Sequence, residues 1–372
     1  MNILFISSTK RWGGVVSWML KSAGGLQKKG HKITILSHPH PRSKLYKHNI
    51  PNVTIVTKKL ESTLLIPLTV LSIVRFIKKN KIDIIVTNIG IEVSIGGIAA
   101  KISGIPHIRR IGGDFDFTNS LKKKIIQKML VNYCLVPCYY IIDASIKKFP
   151  WLSKEKFTVI YNGRNPYNAN PNEIRNQKIK WDIKSNEKII GMTCQLIKRK
   201  HTEDLITVFT RIHYDHPDWK IVIAGEGPEL SKLKKLVNDL SLDDKVIFAG
   251  FTHDPVFTAS CYDIAMSTSE NEGFPNTIVE YFSVGKPVIS TDVGGVSEII
   301  KDRKNGILVN FGNLRELETA ILELIKNEEL RNILGASGLI TLKEKFTEDV
   351  MINNLEKFFL DKVNIRAHRM RI

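Results

Sequence analysis

Two acids bracket the most chemically informative stretch of the chain, Glu272-Gly-Phe-Pro-Asn-Thr-Ile-Val-Glu280. Pro275 suits the first position of a helix, so a helix is predicted to start there, with Glu272 in the loop ahead of it. Asn276 and Glu280 then lie one turn apart on the same face. A helix start of this kind turns backbone amides of residues 273–277 toward an anion such as a phosphate. A carboxylate accepts hydrogen bonds from neighbouring hydroxyls, so the two acids suit the diol of a ribose and the hydroxyls of a sugar. Two helix-capping glutamates would give the same spacing. A second candidate is Trp12-Gly13-Gly14-Val15, directly after an apolar run at the N-terminus. Paired glycines admit a ligand close to the backbone, and the helix that follows offers its unpaired amides. It is not the GxGxxG dinucleotide fingerprint, and a tight structural turn explains it equally well. A third is Asp114-Phe115-Asp116, whose paired carboxylates could hold a divalent ion.

The elements that must position these groups are legible in the pattern of apolar runs. Strand-length runs alternate with amphipathic stretches, which argues for parallel sheets covered by helices, an α/β fold. Strands are predicted near 2–7, 32–37, 53–56, 82–87, 105–111, 136–142 and 157–161. A second series lies near 188–193, 219–224, 245–249, 262–267, 287–291 and 307–309, followed by helices near 314–326, 328–344 and 346–361. Residues 164–186, rich in Asn and holding Pro166 and Pro171, read as a linker. The division is therefore residues 1–163, the linker, and residues 187–345, with 346–372 as a helix that could complete the first domain. Ligands in doubly wound sheets bind at the carboxyl ends of the strands, so a cleft between the domains is the expected site.

With 372 residues, 43% hydrophobic and 25% charged, the chain suits two folded domains and excludes a disordered or collagenous one. The longest apolar run, Leu64–Val74, is too short for the ~20 residues that span a bilayer. Its N-terminus has no basic region or cleavage site of a secretory signal, so a cytoplasmic protein is expected. Cys134, Cys138, Cys194 and Cys261 show no metal-ligand spacing and are expected to be reduced, mostly buried thiols. The charge of +18 is uneven: residues 1–165 hold 27 Lys/Arg against 7 Asp/Glu. Such a half is expected to meet something anionic, a nucleic acid or a membrane leaflet. Lys58 and Lys59 before the run at 64–74, and Arg75, Lys78, Lys79 and Lys81 after it, have the composition of an interfacial helix, though a buried core helix would look similar. No zinc-finger, helix-turn-helix or RNA-binding signature accompanies the basic residues, so nucleic acid is not expected.

The stretch SENEGFPNTIVEYFSVGKPVISTDVGGVSEIIKDRKNGILV, residues 269–309, resembles the donor-binding signature of the family 4 retaining glycosyltransferases of the GT-B fold. Further pieces fall in the family's order: the glycines at 13 and 14, GHKITILS at 30–37, VIYNG at 159–163, IVIAGEGPEL at 221–230 and VIFAGF at 246–251. The resemblance implies two Rossmann-like domains, a nucleotide-sugar donor such as a UDP- or GDP-sugar, no metal and no other cofactor. It implies that Glu280 holds the ribose, that Glu272 contacts the transferred sugar, and that Gly273, Phe274, Pro275, Asn276 and Thr277 lie along the sugar and diphosphate. Gly14 would bring its amide to that diphosphate from the first domain. Lys200 matches the lysine of the family's basic pair, whereas the arginine's place is taken by Gln195, which donates hydrogen bonds without positive charge; Lys198, Arg199 or a helix dipole would have to supply the rest. The family's histidine in the first domain aligns with Gly112, and His107 comes too early. Arg109, Arg110 and Asp114 are the polar candidates on the acceptor side. The basic first domain and the family together imply a lipid-linked or glycan acceptor at the inner leaflet, as in lipopolysaccharide or other surface polysaccharide assembly. A nucleotide-sugar epimerase, a phosphorylase and a binding protein without catalysis are the rival readings.

Overall fold

The computed structural model describes residues 1–9, 14–39, 50, 52–58 and 66–369, without the side chains of Asp114 and of residues 366–369. Trp12, Gly13, Lys59 and the start of the apolar run at 64 and 65 fall outside these residues. The chain divides into two compact units, Met1–Asn162 with Glu348–Ile372, and Gly163–Thr347.

The first unit runs β1 (Asn2–Ser7), α1 (Gly14–Lys28), β2 (Lys32–Ser37), β3 (Thr54–Thr57), α2 (Ile66–Lys79), β4 (Ile84–Thr87) and α3 (Ile91–Ser103). It continues with β5 (His107–Arg110), α4 (Leu121–Leu130), β6 (Tyr133–Val136), α5 (Tyr139–Lys148) and β7 (Phe157–Val159). Among the described residues the strands form a sheet ordered β3-β2-β1-β4-β5-β6-β7, with parallel pairing such as Ile3 with both Ile33 and Ile84. Ile3, Leu4, Phe5 and Ile6 are all buried, because a central parallel strand is covered on both faces and so reads as an unbroken apolar run.

The second unit holds α6 (Pro171–Lys180), β8 (Lys188–Thr193), α7 (Thr202–Phe209), β9 (Trp219–Ala224), α8 (Leu230–Asp239), β10 (Val246–Gly250) and α9 (Pro255–Ser260). After these come β11 (Ile264–Ser267), α10 (Asn276–Ser283), β12 (Val288–Thr291), α11 (Val296–Ile299), β13 (Ile307–Val309), α12 (Leu314–Lys326) and α13 (Glu328–Lys345). Its parallel sheet is ordered β10-β9-β8-β11-β12-β13. The order reverses beside β8, which places the loops after β8 and β11 next to each other, at the switch point where such sheets bind ligands.

The last helix, α14 (Glu348–Arg369), returns to the first unit. Its Met351, Ile352, Leu355, Phe358 and Phe359 join the core built around α1 and β1. Gly25 on α1 leaves no room for a side chain, since a Cβ there would lie 2.5 Å from Ile352. Glu356 accepts from Lys29 at 2.7 Å and pairs with the His31 ring at 2.9 Å, and Lys21 pairs with Glu348.

Three expectations need correction. The strand expected at 136–142 is the end of β6 followed by α5; Cys138, extended at φ −163°, starts the helix, and Ile141 and Ile142 are buried by helical rather than strand packing. The linker expected at 164–186 contains α6 and belongs to the second unit. Its Asn170 side chain accepts from the Asn172 amide at 2.9 Å and Pro171 opens the helix, so the Asn and Pro taken for linker composition are a helix start. Pro275 is the residue before α10 rather than its first residue, with φ −77° and ψ 83°.

Candidate functional site

The site is built where the loops after β8 and β11 meet. Ile264 pairs with Ile190 and Ala265 with Gly191, so the two strands end side by side. The loop after β8, Cys194–His201, closes in a short 3-10 turn, and His201 takes a left-handed backbone at φ 46°. Thr268 Oγ1 donates to the carbonyls of Lys200 at 3.0 Å and His201 at 2.8 Å, and the Glu270 amide donates to the Arg199 carbonyl at 2.9 Å. These bonds fix the two loops together and bring Lys200 against Glu272.

Glu272 is buried and pairs with Lys200 Nζ. Ser269 Oγ donates to the same carboxylate at 2.8 Å, and Arg199 Nη1 stands 3.7 Å from its other oxygen. The Glu272 carbonyl accepts from the Gly295 amide at 3.0 Å, which ties the loop after β12 to the same place. Gly294, at φ 59°, is required there: a Cβ would fall 1.8 Å from the Glu272 carbonyl oxygen. A second close approach holds the loop after β8, where a Cβ on Gly225 would fall 1.8 Å from the Cys194 carbonyl oxygen. The IVIAGEGPEL segment thus braces the loop that carries Lys200.

Beyond Glu272 the chain enters α10. Phe274 is buried against Phe346, with ring centroids 6.2 Å apart. Of the amides expected to face an anion, Pro275 has none and that of Asn276 donates to the Phe274 carbonyl at 2.9 Å, so the expected row of five is interrupted. Glu280 is buried one turn along and pairs with the Arg164 guanidinium. Arg164 is a residue that sequence reasoning missed. It follows directly on the VIYNG motif, and its own amide donates to the Phe346 carbonyl at 2.8 Å. Gln195 is exposed in the same loop as Lys200, and its carbonyl accepts from the Ile197 amide at 2.9 Å.

In the first unit Gly14 is exposed at the first residue of α1, and among the described residues nothing stands within 4 Å of where a Cβ would lie. Of the other first-unit candidates, Arg109 and Arg110 are held by the fold, and the side chain of Asp114 lies outside the described residues. Arg109 donates to the Gln127 side chain and the Asp116 carbonyl, each at 2.8 Å, and lies over the Phe117 ring. Arg110 is buried over the Trp18 ring, and burial brings its guanidinium down to about 10. Asp116 accepts from the Gly112 amide at 2.6 Å, so this half of the expected acid pair shapes a turn. Among the described residues no three His, Cys, Asp or Glu side chains are grouped to hold a metal ion.

His107 is buried in β5. Its Nδ1 donates to the Leu130 carbonyl at 2.6 Å, so Nε2 accepts from Thr87 Oγ1 at 2.8 Å and the ring is neutral. Burial pushes its pKa down from 6.5 to about 4 against the opposing pull of the Leu130 carbonyl. The unfolded chain therefore binds the proton more readily, and stability falls as pH drops through the window from 6.5 to 4. Urea unfolding of the first-unit transition is expected to lose roughly 3 kcal/mol across that window from this residue alone. His107→Asn is expected to flatten the profile; an equally steep variant would assign the slope to other groups.

Two family models match the chain: Glycosyltransferase Family 4 over residues 12–167 and Glycosyl transferases group 1 over residues 173–339. N-acetyl-alpha-D-glucosaminyl L-malate synthase of Bacillus anthracis is 28% identical over 184 residues, 50% of this chain and 48% of that protein, so the chain spans about half of that relative's length. Alpha-monoglucosyldiacylglycerol synthase of Acholeplasma laidlawii is 25% identical over 94% of both chains. The crystal structure of Anabaena Alr3699/HepE in complex with UDP superposes with a TM-score of 0.83 at 20% identity, over 97% of this chain and all of that one. Matched by the two models in succession and sharing this architecture, the chain belongs to the family 4, group 1 glycosyltransferases and has the GT-B fold.

Proposed function

We propose that this protein is a retaining glycosyltransferase that moves a sugar from a nucleoside diphosphate to a lipid-linked or polysaccharide acceptor. The observation that carries the reading is the pair of half-buried Lys200 with buried Glu272 at the meeting of two strand-end loops, directly before the helix that bears Glu280. In this reading Glu280 receives the ribose hydroxyls, Glu272 the sugar, and Lys200 the diphosphate. The bond from the anomeric carbon to the phosphate oxygen breaks with its electron pair leaving on the diphosphate. Lys200 offsets the charge that develops there, an interaction stronger in the transition state than in the ground state. The acceptor oxygen then bonds to the same face of the anomeric carbon, and its proton passes to the departing diphosphate. The names of two similar proteins support a sugar-lipid or small-acid acceptor class, and the crystal complex with UDP supports a uridine donor. The basic first half supports an acceptor held near an anionic membrane leaflet. Assembly of surface polysaccharides such as lipopolysaccharide is the setting this combination fits.

The test is a thermal-shift panel of UDP, GDP, ADP and CMP, followed by product analysis with the matching sugar nucleotide. A ligand at about a hundred times its Kd stabilises by ~2.7 kcal/mol, a shift of several degrees for a domain of this size. Glu280→Gln keeps the volume of the side chain and removes the charge that strengthens its bonds to hydroxyls. Binding of the preferred nucleotide is expected to weaken by roughly 10- to 100-fold, as a hydrogen bond to a charged group is worth about 1.5–3 kcal/mol. An unchanged shift in this variant refutes the ribose assignment. Conversion of the sugar nucleotide without any acceptor, or a need for free phosphate, would replace transfer by an epimerase or phosphorylase reading.

A further inference from the structure

Helix α4, LKKKIIQKML, is turned the opposite way from an ordinary surface helix. Its one buried residue is polar: Gln127 accepts from Arg109 at 2.8 Å and donates to Cys134 Sγ at 3.0 Å. Three of its five large apolar residues face outward, while Ile126 and Leu130 are half-buried. Leu121, Ile125 and Met129 are 73%, 48% and 59% exposed, and the spacing i, i+4, i+8 puts them on a single stripe. Lys122, Lys123 and Lys128 are exposed beside that stripe, and the helix has no acidic residue. Its C-terminal end is held by Lys156, whose Nζ donates to the carbonyls of Lys128 at 3.2 Å and Val131 at 2.8 Å.

A second helix of the same layer repeats the arrangement. The crossovers from β3 to β4, β4 to β5 and β5 to β6 all advance in one direction across the sheet. Right-handed connections therefore place α2, α3 and α4 on one face, where α2 packs on α3 and α3 on α4. On α2 the buried residues are Thr69, Val70, Ile73, Val74 and Ile77, while Leu68 and Leu71 are exposed and are followed by exposed Arg75, Lys78 and Lys79. The interfacial helix expected at 64–74 is thus a core helix on one side and an apolar, basic surface on the other.

We infer that the outer surface of α4, extended by Leu68 and Leu71 of α2, docks on an anionic lipid surface. An apolar stripe edged by lysines without acids matches a leaflet that offers hydrocarbon below a negative headgroup layer. A second copy of the chain fits poorly, because a symmetric contact would set the lysines of one α4 against those of the other. The inference rests on the lipid-side partner of the proposed function but not on its chemistry, and vesicle binding can fail while nucleotide binding stands, or the reverse.

The experiment is sedimentation of the full chain with vesicles of phosphatidylcholine alone and with phosphatidylglycerol added. The wild-type chain is expected to partition at least about tenfold more strongly to the anionic vesicles, and less so at high salt. Leu121→Ser, Ile125→Ser and Met129→Ser combined, all outside the core, are expected to lower binding about tenfold or more while the nucleotide thermal shift stays unchanged. Lys122→Glu with Lys123→Glu is expected to do the same and to abolish the preference for anionic lipid. Equal binding to both vesicles, wild-type binding by the serine variant, or a concentration-dependent dimer in sedimentation velocity that the serine variant loses would each overturn the inference. Absence of vesicle binding together with tight binding of an acidic protein at this face would overturn it as well.

Discussion

Lys200→Ala is expected to lower the rate of transfer by about 10²- to 10³-fold, the cost of removing one preorganised group that stabilises charge on a leaving group. The loss should fall on kcat more than on KM, because the ammonium matters most once the diphosphate begins to depart. A second effect comes with it. Glu272 stays nearly buried and keeps Ser269 at 2.8 Å and the more exposed Arg199 at 3.7 Å, a weaker set of partners than the one it had. Removing one member of a buried pair is more harmful than removing both, so Lys200→Ala should unfold at lower urea than the double variant Lys200→Ala/Glu272→Ala. Lys200→Arg, which keeps the charge, should recover part of the rate. Steady-state kinetics with the donor found in the nucleotide panel, together with urea titrations of the three variants, check these outcomes. A rate for Lys200→Ala within threefold of wild type would remove this residue from the mechanism.

Gly294→Ala is expected to have a comparable effect by a different route. Its φ of 59° costs an L-residue about 1–2 kcal/mol, and its Cβ would stand 1.8 Å from the Glu272 carbonyl oxygen. No rotamer moves a Cβ away from a backbone oxygen, so the loop carrying Glu272 must move, and the 3.0 Å bond from the Gly295 amide goes with it. Transfer is expected to fall at least about 100-fold, since displacement of a reacting group by about 1 Å costs a factor of that order. Gly312→Ala separates strain from clash. Gly312 has φ 77° and open space around it, so that variant should lose about 1–2 kcal/mol of stability and keep its activity. Equal activities of the two variants would show that the loop tolerates displacement.

Much of the architecture was legible in the sequence because buried parallel strands are continuous apolar runs. Lys188–Thr193, Trp219–Ala224 and Ile307–Val309 occupy the residues that pattern predicts. It misled where an apolar run crosses from strand to helix: Val136 through Ile142 holds no Gly or charge, and Pro137 alone marks the turn at Cys138. Asn170 and Pro171 misled for the opposite reason, because a cap and a linker use the same residues. At the site, the separation of Glu272 and Glu280 along the chain was readable, whereas their partners were not. Lys200 and Arg164 lie 72 and 116 residues from the acids they meet, and no local pattern encodes pairs that only the sheet order creates. Arg109 and Arg110 were readable as charges but not as the buried, ring-stacked groups they are.

The return of α14 to the first unit has a consequence for how the molecule is made. During synthesis the chain emerges from its N-terminus, yet the pocket for Ile352, Leu355 and Phe359 beside α1 stays uncovered until the segment Glu348–Ile372 has left the ribosome. The second unit, Gly163–Thr347, is complete in sequence before that moment. The half translated first is thus the half finished last, and a nascent chain stalled before residue 348 would present a greasy groove to chaperones rather than a finished domain.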